Sequence, residues 1–147
     1  MIAVDSSIWK ATLGHFRRCG AGRRECVVYW LGPANQAAVV DEVVHPEHTA
    51  SNRDYEVNSA WLAPFWMRLA SSSRSARVQV HTHAFRAFHS TSDDAFPLVR
   101  QAGFLSLVLP RFATGRPPLP EEMHLAGLDS QLRWQQYAPE TQFQWLP

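Results

Sequence analysis

The sequence predicts an α/β domain in which helices lie against a mixed central β-sheet. Three observations favour this fold class. The chain has 147 residues, of which 46% are hydrophobic and 18% are charged, a composition typical of a folded domain. Runs with the apolar repeat of a helix alternate with β-branched runs in the order helix, strand, strand, helix, strand, helix, strand. No internal repeat interrupts this order, so we expect a single domain over residues 1–147.

Charge and hydropathy argue against several classes of function. The formal net charge is +1 and the arginines are scattered, so nothing indicates a nucleic acid or an anionic lipid as partner. No apolar run reaches the roughly 18 residues of a membrane helix, and the N-terminus lacks the basic and apolar segments of a signal peptide. We therefore expect a cytoplasmic protein, in which Cys19 and Cys26 are free thiols.

The first half of the chain is expected to contain a helix, two strands and a second helix. Ser6 and Ser7 can cap the first helix, and Gly20 suits a left-handed C-terminal cap. The β-branched runs ECVVYWLG and AAVVDEVVHP predict two paired strands. After a polar connection, apolar residues at helical spacing predict a helix over Ser59–Ala70, with Pro64 in its first turns or at a kink.

The second half is expected to contain two strands, a helix between them and a tail. ARVQVHTH (Ala76–His83) predicts a strand, and SDDAFPLVRQAG predicts a capped helix that ends at Gly103. FLSLVLP predicts a further strand, bounded by Pro110. After a Pro-rich loop, the tail is expected to add one or two edge strands, with Trp134 and Trp145 packing onto the body.

Polar residues near the end of the third predicted strand form a candidate metal site. Alternate side chains of a strand point to the same face, so His81 and His83 can converge on one ion. A catalytic zinc site has three protein ligands and an open position. Asp94, at the start of the next helix, is the expected third ligand, whereas Asp93 is an alternative that could instead cap the helix. Glu25 opens an earlier strand and is the candidate base for a hydrolytic water.

The order of these residues resembles the JAMM motif of the JAB/MPN metallopeptidases, in which an upstream Glu precedes H-x-H-x(10)-D. The order of elements over Ser6–Pro110 is similar to that domain as well. The resemblance implies a single JAB/MPN domain with a cytidine-deaminase-like core. It also implies a Zn²⁺ ion held by His81, His83 and Asp94, and a catalytic water activated by Glu25.

The resemblance further implies a substrate. The chain is most similar to the bacterial branch associated with ubiquitin-like conjugation, including antiphage operons. We therefore expect a deubiquitinase-like isopeptidase that hydrolyses the bond after the C-terminal tail of a ubiquitin-like protein, in conjugates or in its precursor. E1-like and E2-like proteins are the expected further partners. A zinc nucleobase deaminase would instead need H-x-E and P-C-x-x-C, which the sequence lacks.

Two other functions remain open at this point. A peptidase that matures a sulfur-carrier protein would use the same chemistry on a similar tail. An MPN domain can also be a catalytically inactive scaffold, and two departures from the family pattern keep this alternative open. Thr91 stands where a Ser three residues before the Asp normally stabilises the oxyanion; its hydroxyl can donate, and the flanking Ser90 and Ser92 are alternatives. Ala84 stands where Pro commonly follows the second His.

The connection HPEHTASNRDYEV lies where family members line the groove for the substrate tail. Tyr55 and Val57 are candidates for a strand edge that binds an extended peptide, although a short strand packed onto the sheet is an equal alternative. We expect no second metal site at His45 and His48, because Pro46 breaks the strand and no fourth ligand is near in sequence.

His89 lies in the polar loop between the H-x-H pair and the two aspartates. This position favours a solvated histidine, and a contact with the metal ligands or with the substrate is the alternative.

Overall fold

Eleven strands and four α-helices are present in the computed structural model, which describes residues 1–147. None of the helices is both long enough and apolar enough to span a membrane. The helices are α1 (Ser6–Cys19), α2 (Ser59–Ser71), α3 (Thr91–Ala95) and α4 (Pro139–Gln142). The strands are β1 (Ile2–Val4), β2 (Val27–Pro33), β3 (Val39–Val40), β4 (Glu42–Val44), β5 (His48–Ala50), β6 (Tyr55–Val57), β7 (Arg74–Thr82), β8 (Leu105–Leu109), β9 (His124–Leu128), β10 (Trp134–Tyr137) and β11 (Phe143–Trp145).

Six strands form the central sheet, in the order β10-β9-β8-β7-β2-β4. Strands β7 and β8 are parallel and the other neighbours are antiparallel, so the sheet is mixed. Two smaller sheets accompany it: β11-β1-β3, whose strands are all parallel, and the hairpin β5-β6. The predicted α/β class with a mixed sheet and flanking helices is confirmed.

One face of the central sheet packs against α1. Val28 and Trp30 of β2 belong to a core of 16 buried residues to which α1 contributes Ile8, Leu13 and Phe16. This core also receives the small sheet β11-β1-β3, so the two ends of the chain lie on the α1 side.

The other face of the central sheet packs against α2 and carries the candidate site. Val27 and Tyr29 of β2 are buried against Phe65 of α2. His81 of β7 is the antiparallel partner of Val27, so both side chains point to this face. Glu25 lies two residues before Val27 and continues the same alternation.

The ends of α1 differ from the sequence-based expectation. Asp5 caps the helix, because its Oδ1 accepts a hydrogen bond from the Ser7 N–H at 2.7 Å, so neither Ser6 nor Ser7 is the cap. Gly20 has a right-handed conformation, with φ −78°, and its N–H donates to the Phe16 carbonyl. The left-handed cap that we expected there is not needed.

The predicted helix SDDAFPLVRQAG is limited to the five residues of α3. Phe96 ends it, with φ −128° and ψ 57°, because a residue before proline is disfavoured in the helical region and Pro97 follows. The chain then runs as a loop to Gly103, whose φ of 90° turns it into β8. Pro64, in contrast, lies inside α2 without ending it.

The tail adds strands to two sheets, as predicted. Strands β9 and β10 extend the central sheet, and β11 pairs with β1, a short strand that the sequence did not predict. Trp145 packs edge-on against Trp9 with ring centroids 5.4 Å apart. Trp134 donates a hydrogen bond to the Asp94 carbonyl. Both tryptophans therefore pack onto the body of the protein.

A disulfide joins the end of α1 to the residue before β2. Cys19 and Cys26 are bonded, with their Cα atoms 6.0 Å apart, so the expectation of two free thiols is wrong. The two residues meet because the Arg24 N–H donates to the Gly20 carbonyl at 3.1 Å in the turn after α1. Cys26 is buried in the core that α1 covers, on the opposite side of the strand from Glu25, as alternation predicts.

Candidate active site

Two histidines at the end of β7 share one face of the central sheet, as predicted. The side chains of His81 and His83 are buried, and their Nε2 atoms lie 3.3 Å apart. Backbone hydrogen bonds hold the chain on both sides of the pair. The Thr82 N–H donates to the Cys26 carbonyl at 3.1 Å, and the His83 N–H donates to the Leu109 carbonyl at 2.9 Å. The strand end that carries the imidazoles is therefore fixed.

The carboxylate of Asp93 faces both histidines. Its Oδ1 lies 3.2 Å from His81 Nε2, and its Oδ2 lies 3.3 Å from His83 Nε2. A capping box at the start of α3 holds it there: Ser90 Oγ accepts from the Asp93 N–H at 3.0 Å, and Asp93 Oδ2 accepts from the Ser90 N–H at 2.8 Å. One carboxylate thus caps the helix and completes a His-His-Asp cluster.

Asp94, the third ligand expected from the sequence, points away from the two histidines. Its exposed carboxylate pairs with His89, and its carbonyl accepts a hydrogen bond from Trp134 Nε1 at 3.0 Å. Successive residues of an α-helix are about 100° apart around the axis, so Asp93 and Asp94 cannot both face the cluster. Asp93, the alternative from the sequence, is the one that does.

Thr91 is exposed and is not among the residues that line the cavity beside the cluster. With Asp93 in the cluster, the residue three positions earlier is Ser90, not Thr91. Ser90 and Ser92 both line the adjacent cavity. The capping-box pattern could not make this choice from the sequence, because Thr91-x-x-Asp94 fits it as well as Ser90-x-x-Asp93.

Glu25 is buried, with 4% of its surface exposed, and lies just before β2. Its N–H donates to the Ser51 carbonyl at 2.8 Å. Continuing the β2–β7 register by two residues places Glu25 opposite His83. Burial raises the pKa of the Glu25 carboxyl to about 7, although the nearby His83 opposes the shift. A carboxylate with this pKa can take up and release a proton near neutral pH.

The protonation states of the cluster suit a metal ion. Burial lowers the pKa of His81, despite the opposing effect of Asp93, so the ring is neutral at pH 7. Burial alone would raise the pKa of Asp93, but hydrogen bonds from His81 and His83 outweigh it and hold the carboxyl well below its usual range. Neutral imidazole and ionised carboxylate are the forms that bind metals.

The spacing of the donor atoms also suits a metal ion. The imidazole nitrogens lie 3.3 Å apart, and each lies 3.2 or 3.3 Å from a different oxygen of Asp93. Tetrahedral coordination with bonds of about 2.0–2.1 Å separates neighbouring ligand atoms by about 3.3–3.4 Å. The two nitrogens therefore match two corners of such a site, and one donor atom from each of His81, His83 and Asp93 lies within 4.8 Å of the other two.

A cavity of about 900 Å³ opens beside the cluster. Glu25 and Asp93 lie on its wall, together with the candidate edge residues Tyr55 and Val57 of β6. These two residues also pack against the α2-side core, and the Tyr55 ring lies 5.2 Å from the ring of His81. Strand β6 pairs only with β5. The apolar part of the wall comes from Leu62, Trp66, Phe96 and Leu98.

A buried polar chain behind the cluster was not recognised from the sequence. Gln79 Oε1 accepts from the Leu98 N–H at 3.0 Å, and its Nε2 donates to Ser106 Oγ at 3.1 Å. Ser106 Oγ lies 3.2 Å from His89 Nε2, whose side chain is only 6% exposed. The expectation of a solvated His89 is therefore wrong. The available signal was Gln79 itself, a polar residue within an apolar strand.

The loop after His83 is held by a turn that follows β8. The Phe112 N–H donates to the His83 carbonyl and the Arg111 N–H to the Phe85 carbonyl, each at 2.8 Å. Residues Arg111, Phe112 and Ala113 have φ of 56°, 53° and 53°, a left-handed conformation that costs energy in side-chain-bearing residues. These bonds define the path of the loop although Ala84 replaces the family's proline.

Comparison with known proteins points to one class of enzyme. No protein-family model matches the chain. The chain is 32% identical to "Probable metalloprotease y4jG" of Sinorhizobium fredii (strain NBRC 101917 / NGR234) over 140 residues, which cover 90% of this chain and 85% of that protein. The solution structure of protein DSY2949 from Desulfitobacterium hafniense is similar with a TM-score of 0.69. The two sequences are 12% identical, and the alignment covers 99% of this chain and 93% of that protein. At this identity the similarity shows the fold alone.

Proposed function

Because the chain belongs to the family of the probable metalloprotease y4jG, we propose that it is a zinc isopeptidase of the JAMM type with the JAB/MPN fold. His81, His83 and Asp93 hold the ion, and Glu25 is the base. The observation that carries the proposal is the His-His-Asp cluster, whose donor spacing fits a tetrahedral ion, at the wall of a cavity that Glu25 also lines.

The pattern of residues supports this assignment more closely once Asp93 is the third ligand. A Glu precedes His-x-His, and Ser90 then stands three residues before the Asp, as the JAMM pattern has it. Thr91 is no longer needed as a substitute. The remaining departure is length, because nine residues, 84–92, separate His83 from Asp93 where the family pattern has ten.

Each residue has a distinct part in the proposed hydrolysis. Zinc, when bound, polarises the scissile carbonyl and lowers the pKa of a water. Glu25 takes the proton from the attacking water and returns it to the leaving amine, a use that its pKa of about 7 suits. Ser90 Oγ accepts a hydrogen bond from the Asp93 N–H, so its own O–H can donate to the oxyanion.

The proposed substrate is the extended C-terminal tail of a ubiquitin-like protein. Strand β6 has no strand on its second side, and Tyr55–Val57 line the cavity. An extended peptide can add to such an edge through main-chain hydrogen bonds. Its last carbonyl would then approach the wall that carries Glu25 and Asp93, while apolar residues of the cavity receive its side chains.

Cleavage of a ubiquitin-like fusion protein tests the proposal. The zinc-loaded wild type is expected to release the ubiquitin-like protein, and Glu25→Gln is expected to retain zinc but lose activity. Glu140→Gln, at an exposed position in α4, is the matched control and should cleave like the wild type. Equal activity of Glu25→Gln and wild type would exclude the mechanism.

The same assay separates the alternative functions. A fusion that carries a sulfur-carrier protein in place of the ubiquitin-like protein is cleaved preferentially if the chain matures sulfur carriers. A scaffold would cleave neither fusion. If it has lost its metal site, the His-His-Asp cluster would also contain no zinc.

A further inference from the structure

A second group of metal-binding side chains lies beside the turn that joins α1 to β2. It contains Cys19 at the end of α1, Cys26 just before β2, His45 just after β4 and His48 at the start of β5. Their sulfur and nitrogen atoms all lie within 4.8 Å of one another. We call these four residues the Cys–His cluster. Its formation corrects the expectation that no fourth ligand is near His45 and His48.

The distances across the Cys–His cluster suit zinc. Cys19 Sγ lies 3.4 Å from His48 Nε2, and Cys26 Sγ lies 3.5 Å from His45 Nε2. Tetrahedral zinc with bonds of about 2.3 Å to sulfur and about 2.0–2.1 Å to nitrogen separates these atoms by about 3.5–3.6 Å. The two sulfurs, which are bonded in the disulfide, would have to move apart to about 3.8 Å on the same bond lengths.

Contacts with neighbouring groups orient the imidazole rings of His45 and His48. His48 Nδ1 lies 3.0 Å from the Pro46 carbonyl, so its N–H can donate there and leave the lone pair of Nε2 directed at Cys19. A metal-binding His typically has its second nitrogen held in this way. The His45 ring is packed in turn against the ring of His15, with the ring centroids 5.1 Å apart.

We propose that, in the reduced protein, the Cys–His cluster binds a structural zinc ion, separate from the ion of the proposed active site. Two thiolates and two imidazoles complete a tetrahedral shell and leave no position for water, which is the arrangement of a structural and not a catalytic site. The disulfide is the oxidised, zinc-free alternative. Two equivalents of a thiol cleave the S–S bond to two cysteine thiols and become a disulfide themselves, and each cysteine loses its proton when it binds the ion.

The position of the Cys–His cluster defines what this ion would hold together. Cys19 ends α1, Cys26 precedes β2, and His48 is the first residue of β5. Strand β5 pairs with β6, whose residues line the cavity. A zinc ion here would therefore join the hairpin β5-β6 to α1 and to the segment before β2 that contains Glu25.

The zinc content of reduced protein tests the proposal without reference to activity. Wild type that is kept in a phosphine reductant and dialysed against zinc should retain two ions per chain. The double variant His81→Ala/His83→Ala should retain one, because the Cys–His cluster is intact. Cys19→Ser or His45→Ala should also retain one, the ion of the active site. His15→Ala is the matched control, since its ring stacks on His45 at 5.1 Å without belonging to the cluster, and it should retain two.

Cobalt substitution provides a measurement that needs no variant at buried Cys26. Reduced wild type loaded with Co²⁺ should show thiolate-to-cobalt charge-transfer absorption, which His81→Ala/His83→Ala keeps and Cys19→Ser loses. If the reduced, folded double variant binds neither zinc nor cobalt, the Cys–His cluster is a disulfide site only and the proposal is wrong. If the wild type binds an ion at the Cys–His cluster but none at the His-His-Asp cluster, the proposed active site is wrong instead.

Discussion

At the scale of single residues, the Asp93 carboxylate has two functions at once. Its oxygens contact His81 and His83, and one of them also accepts the Ser90 N–H that closes the capping box. The site and the start of α3 therefore depend on the same group. Asp94, one position later, serves only the packing of the loop, through His89 and Trp134.

Substitution of the two aspartates should have unequal effects on zinc binding at the proposed active site. Asp93→Ala removes a ligand, so we expect zinc affinity to fall by more than the roughly 10- to 100-fold loss that follows removal of an outer hydrogen-bond partner. Asp94→Ala should change the affinity by less than that. Competition against a chromophoric chelator, in protein whose Cys–His cluster is disabled by Cys19→Ser, measures both values. The reverse order would restore Asp94 as the ligand.

Ser90 and Thr91 should be separable by kinetics. Ser90→Ala removes the proposed donor to the oxyanion, so kcat should fall by roughly 100- to 1,000-fold, the usual effect of losing one such donor. Thr91→Ala should leave kcat within a few-fold of wild type, because its side chain lies outside the cavity wall. Ser90→Ala also loses a helix cap, so a thermal unfolding curve must show that the variant is folded in the assay. A lower kcat for Thr91→Ala alone would contradict the assignment.

At the scale of elements, the loops on the two sides of α3 determine the geometry of the site. The loop after α3 is held to β7, because Gln79 accepts a hydrogen bond from the Leu98 N–H, and the loop before α3 is held to β8 through His89 and Ser106. The chain after His83 is held by the left-handed turn that follows β8. The catalytic candidates thus lie at strand ends, but their positions depend on contacts that span the parallel β7–β8 pair.

Replacement of Gln79 should loosen the loop after α3. Gln79→Leu has a similar volume but leaves the Leu98 N–H without its acceptor, so we expect the free energy of unfolding to fall by about 1–3 kcal/mol. Gln136→Leu, at an exposed position in β10, should change it by less than about 0.5 kcal/mol. Urea unfolding at equilibrium measures both. Equal stability of the two variants would mean that the buried polar chain adds nothing.

The separation in sequence between interacting residues explains which parts of the site could be predicted from the sequence. His81 and His83 share a face because side chains alternate along a strand, and this alternation involves only three adjacent residues. Local sequence was therefore enough to predict it. The choice between Asp93 and Asp94 depends on the rotation of a five-residue helix, which distant contacts to Trp134 and Ser106 determine. No local pattern carries that information.

The same argument applies to the elements. The longer strands and helices follow from local periodicity, whereas β1 has three residues and exists because β3 and β11 pair with it. The Cys–His cluster likewise combines donors from three separate segments. Cys19 and His48 are 29 residues apart in sequence, so only the folded chain brings them together.

At the scale of the whole molecule, stability depends on the last strand closing against the first. Phe143 of β11 is 2% exposed and packs edge-on against Trp30 in the α1-side core, with ring centroids 5.6 Å apart. Trp145 in turn contacts Trp9 of α1. The C-terminal residues are therefore part of the core and not an appendage.

Removal of the Phe143 side chain should destabilise the entire domain. Phe143→Ala leaves a cavity in the core, so we expect a loss of about 3–5 kcal/mol in the free energy of unfolding. Leu146→Ala is the control, because Leu146 is 38% exposed, and its cost should stay well below this range. Thermal or urea unfolding measures the difference. Similar values for the two variants would show that β11 is not required for the fold.

The parallel pairing of β1 with β11 also determines how the protein can be handled in an experiment. Ile2 pairs with Phe143 and the strands run in the same direction, so the first and last residues of the sequence lie about 16 Å apart along the strand direction. Both belong to the α1 side, whereas the cavity opens on the α2 side. An affinity tag, a fluorophore or a surface attachment at either end would thus lie on the α1 side and leave the opening of the cavity accessible to a protein substrate.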